Sequence, residues 1–268
     1  MSLEHFYKDK IVLITGASMG IGKELARQVL DLGGKVVLTA RNAERLQGVQ
    51  KEFEKHADCI LIHVGDVTSY EDNALLMNEI NEYFGNLDIL INNAGLSAYG
   101  DLEEIQPEVV RQVIDTNIYG SVYPVMTALK QFKSSINSVF FVSSIAGFHG
   151  LPGYSAYSLS KRSLQALAQS LRIELHAKGI FVGLANVGFT ENDEHKKTLS
   201  PLGQLENIPP RPKRLVVTQE KTARRILIQI MRKKDTETHS LFGKFVFLLS
   251  TYFPSLMSFF LRRKYNKE

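Results

Sequence analysis

KIVLITGASMGIG, residues 10–22, runs an unbroken apolar stretch straight into a glycine-rich turn and then into helical spacing. Ile11 to Ile14 carry no polar alternation, the pattern of a strand covered on both faces. Gly16 permits a tight turn, Gly20 lets a phosphate approach the backbone, and Gly22 allows the helix to pack closely. The helix N-terminus offers unpaired N–H groups to an anion, and Ser18 and Ile21 lie in the same turn as further candidate contacts. A strand before, a helix after and a βαβ unit around them make this a dinucleotide-binding turn rather than an unoccupied glycine loop.

The pattern repeats along the chain. KVVLT (35–39), CILIHV (59–64), DILIN (88–92), SVFFVS (138–143) and IFVGLA (180–185) read as further buried strands. Helical spacing fills residues 21–32, 43–56, 70–84, 107–132 and 154–176 between them. Such alternation predicts a Rossmann-type α/β fold, a doubly wound parallel sheet with helices on both faces and its ligand site at the carboxyl ends of the strands. Residues 1–240 are expected to form this domain. Within it, the polar, proline-bearing segment 189–217 is expected to be a mobile cover over the substrate. Thr218 is placed to cap a last core helix reaching Met231, and THSLFG (238–243) is expected to add an edge strand.

With 268 residues the chain suits one such domain plus an appendage. One cysteine, Cys59, excludes an intrachain disulfide, and the seven histidines show no metal-ligand spacing. Cys59 falls in an expected buried strand and reads as an inert packed thiol. The charged start MSLEHFYKDK lacks the apolar core of a secretory signal, so a cytoplasmic location is expected. Net charge is only +4, but the basic residues cluster in PPRPKR (209–214), TARRIL, MRKK and the terminal RRKYNK. With no aromatic-interleaved basic patch, that clustering points to an anionic membrane surface and away from nucleic acid.

The second strand ends KVVLTARN. Where an NAD-specific fold places an acid on the adenosine ribose, this chain has Ala40 and then Arg41. A guanidinium can pair bidentately with a 2′-phosphate, with Thr39 and Asn42 as lesser donors, so NADP is the expected coenzyme.

In YSAYSLSK (154–161), Tyr157 and Lys161 stand at i and i+4 and so share a helix face. A nearby ammonium stabilises a phenolate and lowers a tyrosine pKa from its usual value of about 10, which suits Tyr157 to proton transfer. Tyr154 has Ser158 at that spacing instead.

Taken with the glycine turn, these residues make the chain resemble the short-chain dehydrogenase/reductase family over residues 8 to about 190. GDV with Asp66 and Val67, NNAG at 92–95, NIYG with Asn117, and SSIAG with Ser144 follow in that family's order. The resemblance implies Asn117, Ser144, Tyr157 and Lys161 as the catalytic set. Tyr157 would exchange the proton of a substrate oxygen while hydride passes to or from nicotinamide, and Ser144 would orient that oxygen. Lys161 would acidify Tyr157, hold the nicotinamide ribose and connect through water to the Asn117 backbone. It further implies coenzyme contacts from Asp66, Val67, Asn93, Ala94, Gly95, Tyr157, Lys161, Gly188 and Thr190. Two departures stand out. Val187 and Asn192 replace the proline and threonine of the family's PGxxxT motif, and Met19 replaces a commoner serine.

The tail from 241 to 268 is of another kind. Residues 245–261 carry no charge, and Arg262, Arg263 and Lys264 follow. Pro254, with Ser250, Thr251 and Ser255, interrupts the run, so two short helices lying in a membrane interface are expected rather than one spanning helix. The competing expectation is a flap or homo-oligomer contact that buries the same side chains. Ser97, Tyr99, Phe148, His149, Leu151 and Tyr154 are expected to line a pocket. Tails of this type in relatives imply a lipophilic ketone, reduced by NADPH in a homodimer or homotetramer. The rival expectations are a soluble NAD-dependent alcohol oxidation and a catalytically silent NADP-binding scaffold.

Overall fold

A computed structural model describes residues 1–132 and 135–265 of the chain. Its centre is a seven-stranded sheet built from β1 (Ile11–Thr15), β2 (Lys35–Ala40), β3 (Ile60–Val64), β4 (Ile89–Asn92), β5 (Ser138–Ser144), β6 (Phe181–Val187) and β9 (Thr236–Thr238). The order is β3-β2-β1-β4-β5-β6-β9, and every pairing is parallel. β7 (Lys197–Leu199) and β8 (Leu205–Asn207) form a separate antiparallel pair.

Strand alternation divides the core into two layers. Val12, Ile14, Val36, Leu38, Ile91 and Phe140 face one side, where α1 (Leu3–Tyr7), α2 (Gly20–Asp31), α3 (Ala43–Glu52) and α8 (Gln219–Met231) cover them with Tyr7, Leu25, Val29, Leu46 and Ile226. Leu13, Val37, Leu90, Val139 and Phe141 face the other, beneath α4 (Tyr70–Phe84), α6 (Gly120–Gln131) and α7 (Ser155–His176). Period-two burial of this kind fixes the register, since a one-residue slip would turn each apolar set outward. β1 lies between β2 and β4, so the chain winds away in both directions from that point and leaves a crevice at the strands' carboxyl ends. Side chains of Asn42, Ser69 and Thr218 cap α3, α4 and α8, the last as the sequence predicts.

Several boundaries differ from the sequence reading. The edge strand is Thr236–Thr238, not 238–243, because the Ser240 hydroxyl accepts from Gly243 N and starts α9 (Leu241–Tyr252). The 107–132 segment is not one regular helix. α5 (Pro107–Ile114) passes through a π-helical turn at Asp115–Tyr119 before α6. Cys59 ends a 3-10 turn and is partly exposed; β3 begins one residue later, at the sheet's edge, and is covered less than the central strands. The expected irregular cover at 189–217 holds the β7–β8 hairpin, whose Leu199 packs with Ala98, Ile105 and Val113.

α9 meets α10 (Pro254–Tyr265) at a sharp bend, the axes of Leu241–Tyr252 and Pro254–Arg263 lying 116° apart. Among the described residues no single helix is long and apolar enough to cross a membrane. Residues 266–268, part of the basic terminal run, lie outside the described residues.

Candidate active site

The glycine turn is pressed closely against the loop after β4. Gly16 sits at φ +64°, and a Cβ there would come within 2.8 Å of Ala94 Cα. At Gly22 a Cβ would lie 2.3 Å from Gly16 O and 2.6 Å from Asn93 Nδ2, so neither position tolerates a side chain. Thr15 Oγ1 accepts from both Asn93 N and Ala94 N at 3.0 Å, and Asn93 Nδ2 donates to Thr15 O and Gly16 O. The loops after β1 and β4 are thereby tied together as one wall of the crevice. Gly20 opens α2 at φ +57°, and its N–H lies 2.9 Å from Asp193 Oδ2. That oxygen stands where an anionic ligand oxygen would sit. A main-chain donor at the start of α2 that already holds an anionic oxygen, on a residue with no Cβ, fits a dinucleotide's pyrophosphate.

Asp66 and Val67 stand past β3 at the same edge. Asp66 Oδ1 accepts from Thr68 N and Oγ1 at 2.9 Å, while Oδ2 lies 4.0 Å from the largely exposed Arg41 guanidinium. Val67 is buried, and a Cβ on Gly120 would strike it at 2.7 Å. Ser18 is half-buried in the turn, and Ile21 packs on the core under α2.

The four residues picked as catalytic converge from three elements. Asn117 is fully buried in the π-helical turn, where its Oδ1 accepts from Leu96 N at 2.7 Å and its Nδ2 donates to Leu96 O and Ser160 Oγ at 2.8 Å. A π turn at a functional position recurs in helices because the extra residue re-aims the local backbone. Lys161, 5% exposed, donates from Nζ to Val142 O at 3.1 Å. A Cβ on Gly95 would meet both Asn117 Oδ1 and Lys161 Nζ at 3.3 Å, which puts those two groups on either side of one point. Ser144 ends β5, and its hydroxyl is hydrogen-bonded to that of Tyr157.

The electrostatics depart from the sequence reading. Burial raises the Tyr157 pKa above 10.0, while the Ser144 hydrogen bond and then the Arg211 charge pull it back. Lys161 Nζ lies over the Tyr157 ring, 5.9 Å from its centre. Burial, followed by the charge of Lys196, lowers the Lys161 pKa from 10.5 to about 8.

Arg211 was not singled out by the spacing of motifs. It donates to Thr190 O at 2.5 Å and lies 5.9 Å from the Phe189 ring centre, with Thr190 buried after β6. A cavity of about 630 Å³ opens beside it, lined by Thr190, Asn192, Arg211 and Thr218 among others. Gly188 closes against the root of the tail, where a Cβ would meet Ser240 Oγ at 2.7 Å. Of the expected pocket residues, Phe148 packs with Val246 and Met257 of the tail, and His149 Nε2 lies 3.2 Å from Ser258 Oγ. Ser97 bonds Thr198 at 2.9 Å, and Tyr99 bonds Glu206, so both reach the β7–β8 hairpin.

The glycine turn at the sheet's switch point and the pairing of Tyr157 on α7 with Ser144 at the end of β5 bring a dinucleotide-type turn and a pair of hydroxyls to the same side of the sheet. The short chain dehydrogenase family matches residues 10–201, and the chain belongs to it. The 3-ketodihydrosphingosine reductase of Bos taurus is 36% identical over 182 residues, covering 65% of this chain and 54% of that protein. The 3-dehydrosphinganine reductase of Danio rerio is 35% identical over 199 residues, covering 69% and 59%. The chain thus spans a little over half the length of these relatives. A short-chain dehydrogenase from Streptomyces avermitilis superposes with a TM-score of 0.78 at 22% identity, covering 97% of both chains. That likeness shows the fold.

Proposed function

We propose that the protein reduces a lipophilic ketone to a secondary alcohol with NADPH, as a homodimer or homotetramer at the cytoplasmic face of a membrane. The observation that carries this reading is the Ser144–Tyr157 hydroxyl pair, backed by the buried Lys161 and Asn117. The substrate class draws support from the two relatives named as reductases of a long-chain keto base.

When bound, the nicotinamide supplies the hydride. Tyr157 supplies the proton that makes the substrate oxygen a hydroxyl. Ser144 donates to the same oxygen and fixes it beside Tyr157. Lys161 and the Asn117 turn lie behind the tyrosine and return a proton to it from solvent. Gly16, Gly20, Gly22, Asn93, Ala94 and Gly95 would hold the coenzyme's phosphates and nicotinamide half, with Gly188 and Thr190 on the opposite wall. Asp66 and Val67 would hold the adenine, and Arg41 the 2′-phosphate.

The test follows coenzyme absorbance with a 3-keto sphingoid base, other keto-lipids and ketosteroids. NADPH is expected to support turnover well above NADH. Arg41→Ala should cut that preference about 10- to 100-fold, the value of charge-assisted hydrogen bonds to one phosphate. An unchanged preference defeats the phosphate assignment, and an idle enzyme with every ketone defeats the reductase reading.

The tail supports the membrane part of the proposal. Its inner side chains, Val246 and Met257, pack on Phe148, whereas Phe245, Leu248, Tyr252, Phe253, Phe259 and Phe260 are exposed. Exposed Arg262 and Arg263 follow them. Aromatic and leucine side chains beside cations fit the headgroup boundary of an anionic bilayer. The 268-residue chain is expected to float with phosphatidylserine-containing liposomes and the chain lacking residues 241–268 to stay behind. Equal flotation of both removes the claim.

A further inference from the structure

The N–H that the glycine turn offers to a pyrophosphate is held by the chain itself. Asp193 Oδ2 accepts from Gly20 N at 2.9 Å across 173 positions of sequence, and Met19, the residue preceding α2, provides no side-chain cap of its own. The carboxylate is fixed from behind. Its Oδ1 accepts from His195 N at 3.0 Å, and Asp193 O accepts from Lys196 N at 3.0 Å, closing a tight turn. The far end of that turn brings the Lys196 charge to bear on Lys161. The turn therefore reaches from the glycine loop toward the candidate catalytic lysine, the course that a dinucleotide must follow from pyrophosphate to nicotinamide ribose. A carboxylate and a phosphate are both negative and both require the same donor, so they cannot share it.

We propose that Asp193 is a displaceable latch, which holds the segment after β6 against the glycine turn and competes with the coenzyme for the Gly20 N–H. Coenzyme entry then releases this segment, so that the cover over the substrate site becomes free to rearrange only after the coenzyme has arrived. Apparent affinity is reduced by the fraction of molecules in which the latch is closed. The inference rests on the family's dinucleotide coenzyme and is independent of which ketone is reduced.

The test is binding to the full chain without substrate, by calorimetry, using NADPH, ADP-ribose and adenosine as probes. Asp193→Ala is expected to tighten NADPH and ADP-ribose about tenfold, equivalent to about 1.4 kcal/mol. Adenosine, which has no phosphate, should bind both proteins alike. Amide exchange at Gly20 should quicken in the free variant. Asp193→Asn keeps the side-chain volume while removing the charge, so it carries the test should the alanine variant fail to fold, and it too should bind NADPH more tightly. Unchanged or weaker NADPH binding in a folded variant overturns the latch, as does equal tightening of adenosine. If the unsubstituted protein binds neither NADPH nor NADH, the dinucleotide reading falls and the latch with it.

Discussion

Tyr157→Phe is expected to lower turnover about 10²- to 10⁴-fold, the range for removing a general acid, while leaving coenzyme affinity in place. The substitution deletes one hydroxyl oxygen and keeps the ring, which sits half-buried on the first turns of α7. Its hydrogen bond with Ser144 is lost, but Ser144 Oγ retains Ala146 N, 3.2 Å away, as a donor to it. The fold therefore has little reason to respond, and an unchanged melting temperature is the accompanying expectation. The loss should appear in kcat, because proton transfer matters only as the substrate oxygen gains its charge. Raising the pH should not restore the variant, since it has no group left to titrate. Turnover indifferent to the substitution would remove Tyr157 from the mechanism and reopen the silent coenzyme-binding reading.

The parts of this site that sequence made legible are local. Strand, glycine turn and helix follow one another within residues 11–31, and each piece has a backbone reason for its residue type. Tyr157 and Lys161 share a face because a helix of 3.6 residues per turn puts them there. The contacts that sequence did not disclose are distant or irregular. Asp193 and Gly20 lie 173 positions apart, and no local pattern marks the pair. Arg211 reaches Thr190 only because Val217 pairs with Thr190 and closes the loop between them. β7 and β8 have three residues each, too few for periodicity to register. At the root of the tail, Ser240 could read as part of a strand or as a helix cap, and the Gly243 N–H decides for the cap. The pKa relation between Tyr157 and Lys161 also needed coordinates. Helical spacing gives a shared face, whereas here Lys161 also donates its ammonium to Val142 O, and Arg211, distant in sequence, adds a positive charge that lowers the Tyr157 pKa against burial.

Lys161→Met should stabilise the coenzyme-free protein at pH 7 while abolishing most of its turnover. An ammonium only 5% exposed, with Val142 O at 3.1 Å as its hydrogen-bond acceptor among the described residues, is poorly compensated for the water it has lost. Burial, then the Lys196 charge, accordingly lowers its pKa from 10.5 to about 8. Below pH 8 the lysine is charged in both folded and unfolded chains, and the folded state carries the whole penalty. Between about 8 and 10.5 the unfolded chain still binds a proton that the folded chain has released, so stability rises with pH across that window. The difference amounts to about 3 kcal/mol, less the value of the Val142 hydrogen bond, about 1 kcal/mol. For a domain of this length each kcal/mol moves the midpoint by about 2–4 °C, so thermal melting should place the variant several degrees above the unsubstituted protein at pH 7. That advantage should shrink steadily on titration to pH 10. A lower midpoint at pH 7 that does not change with pH would show the ammonium to be well satisfied where it lies. The predicted combination, a more stable protein that no longer turns over, would identify Lys161 as a charge kept in the core at a cost to folding because the proton chemistry of Tyr157 requires it.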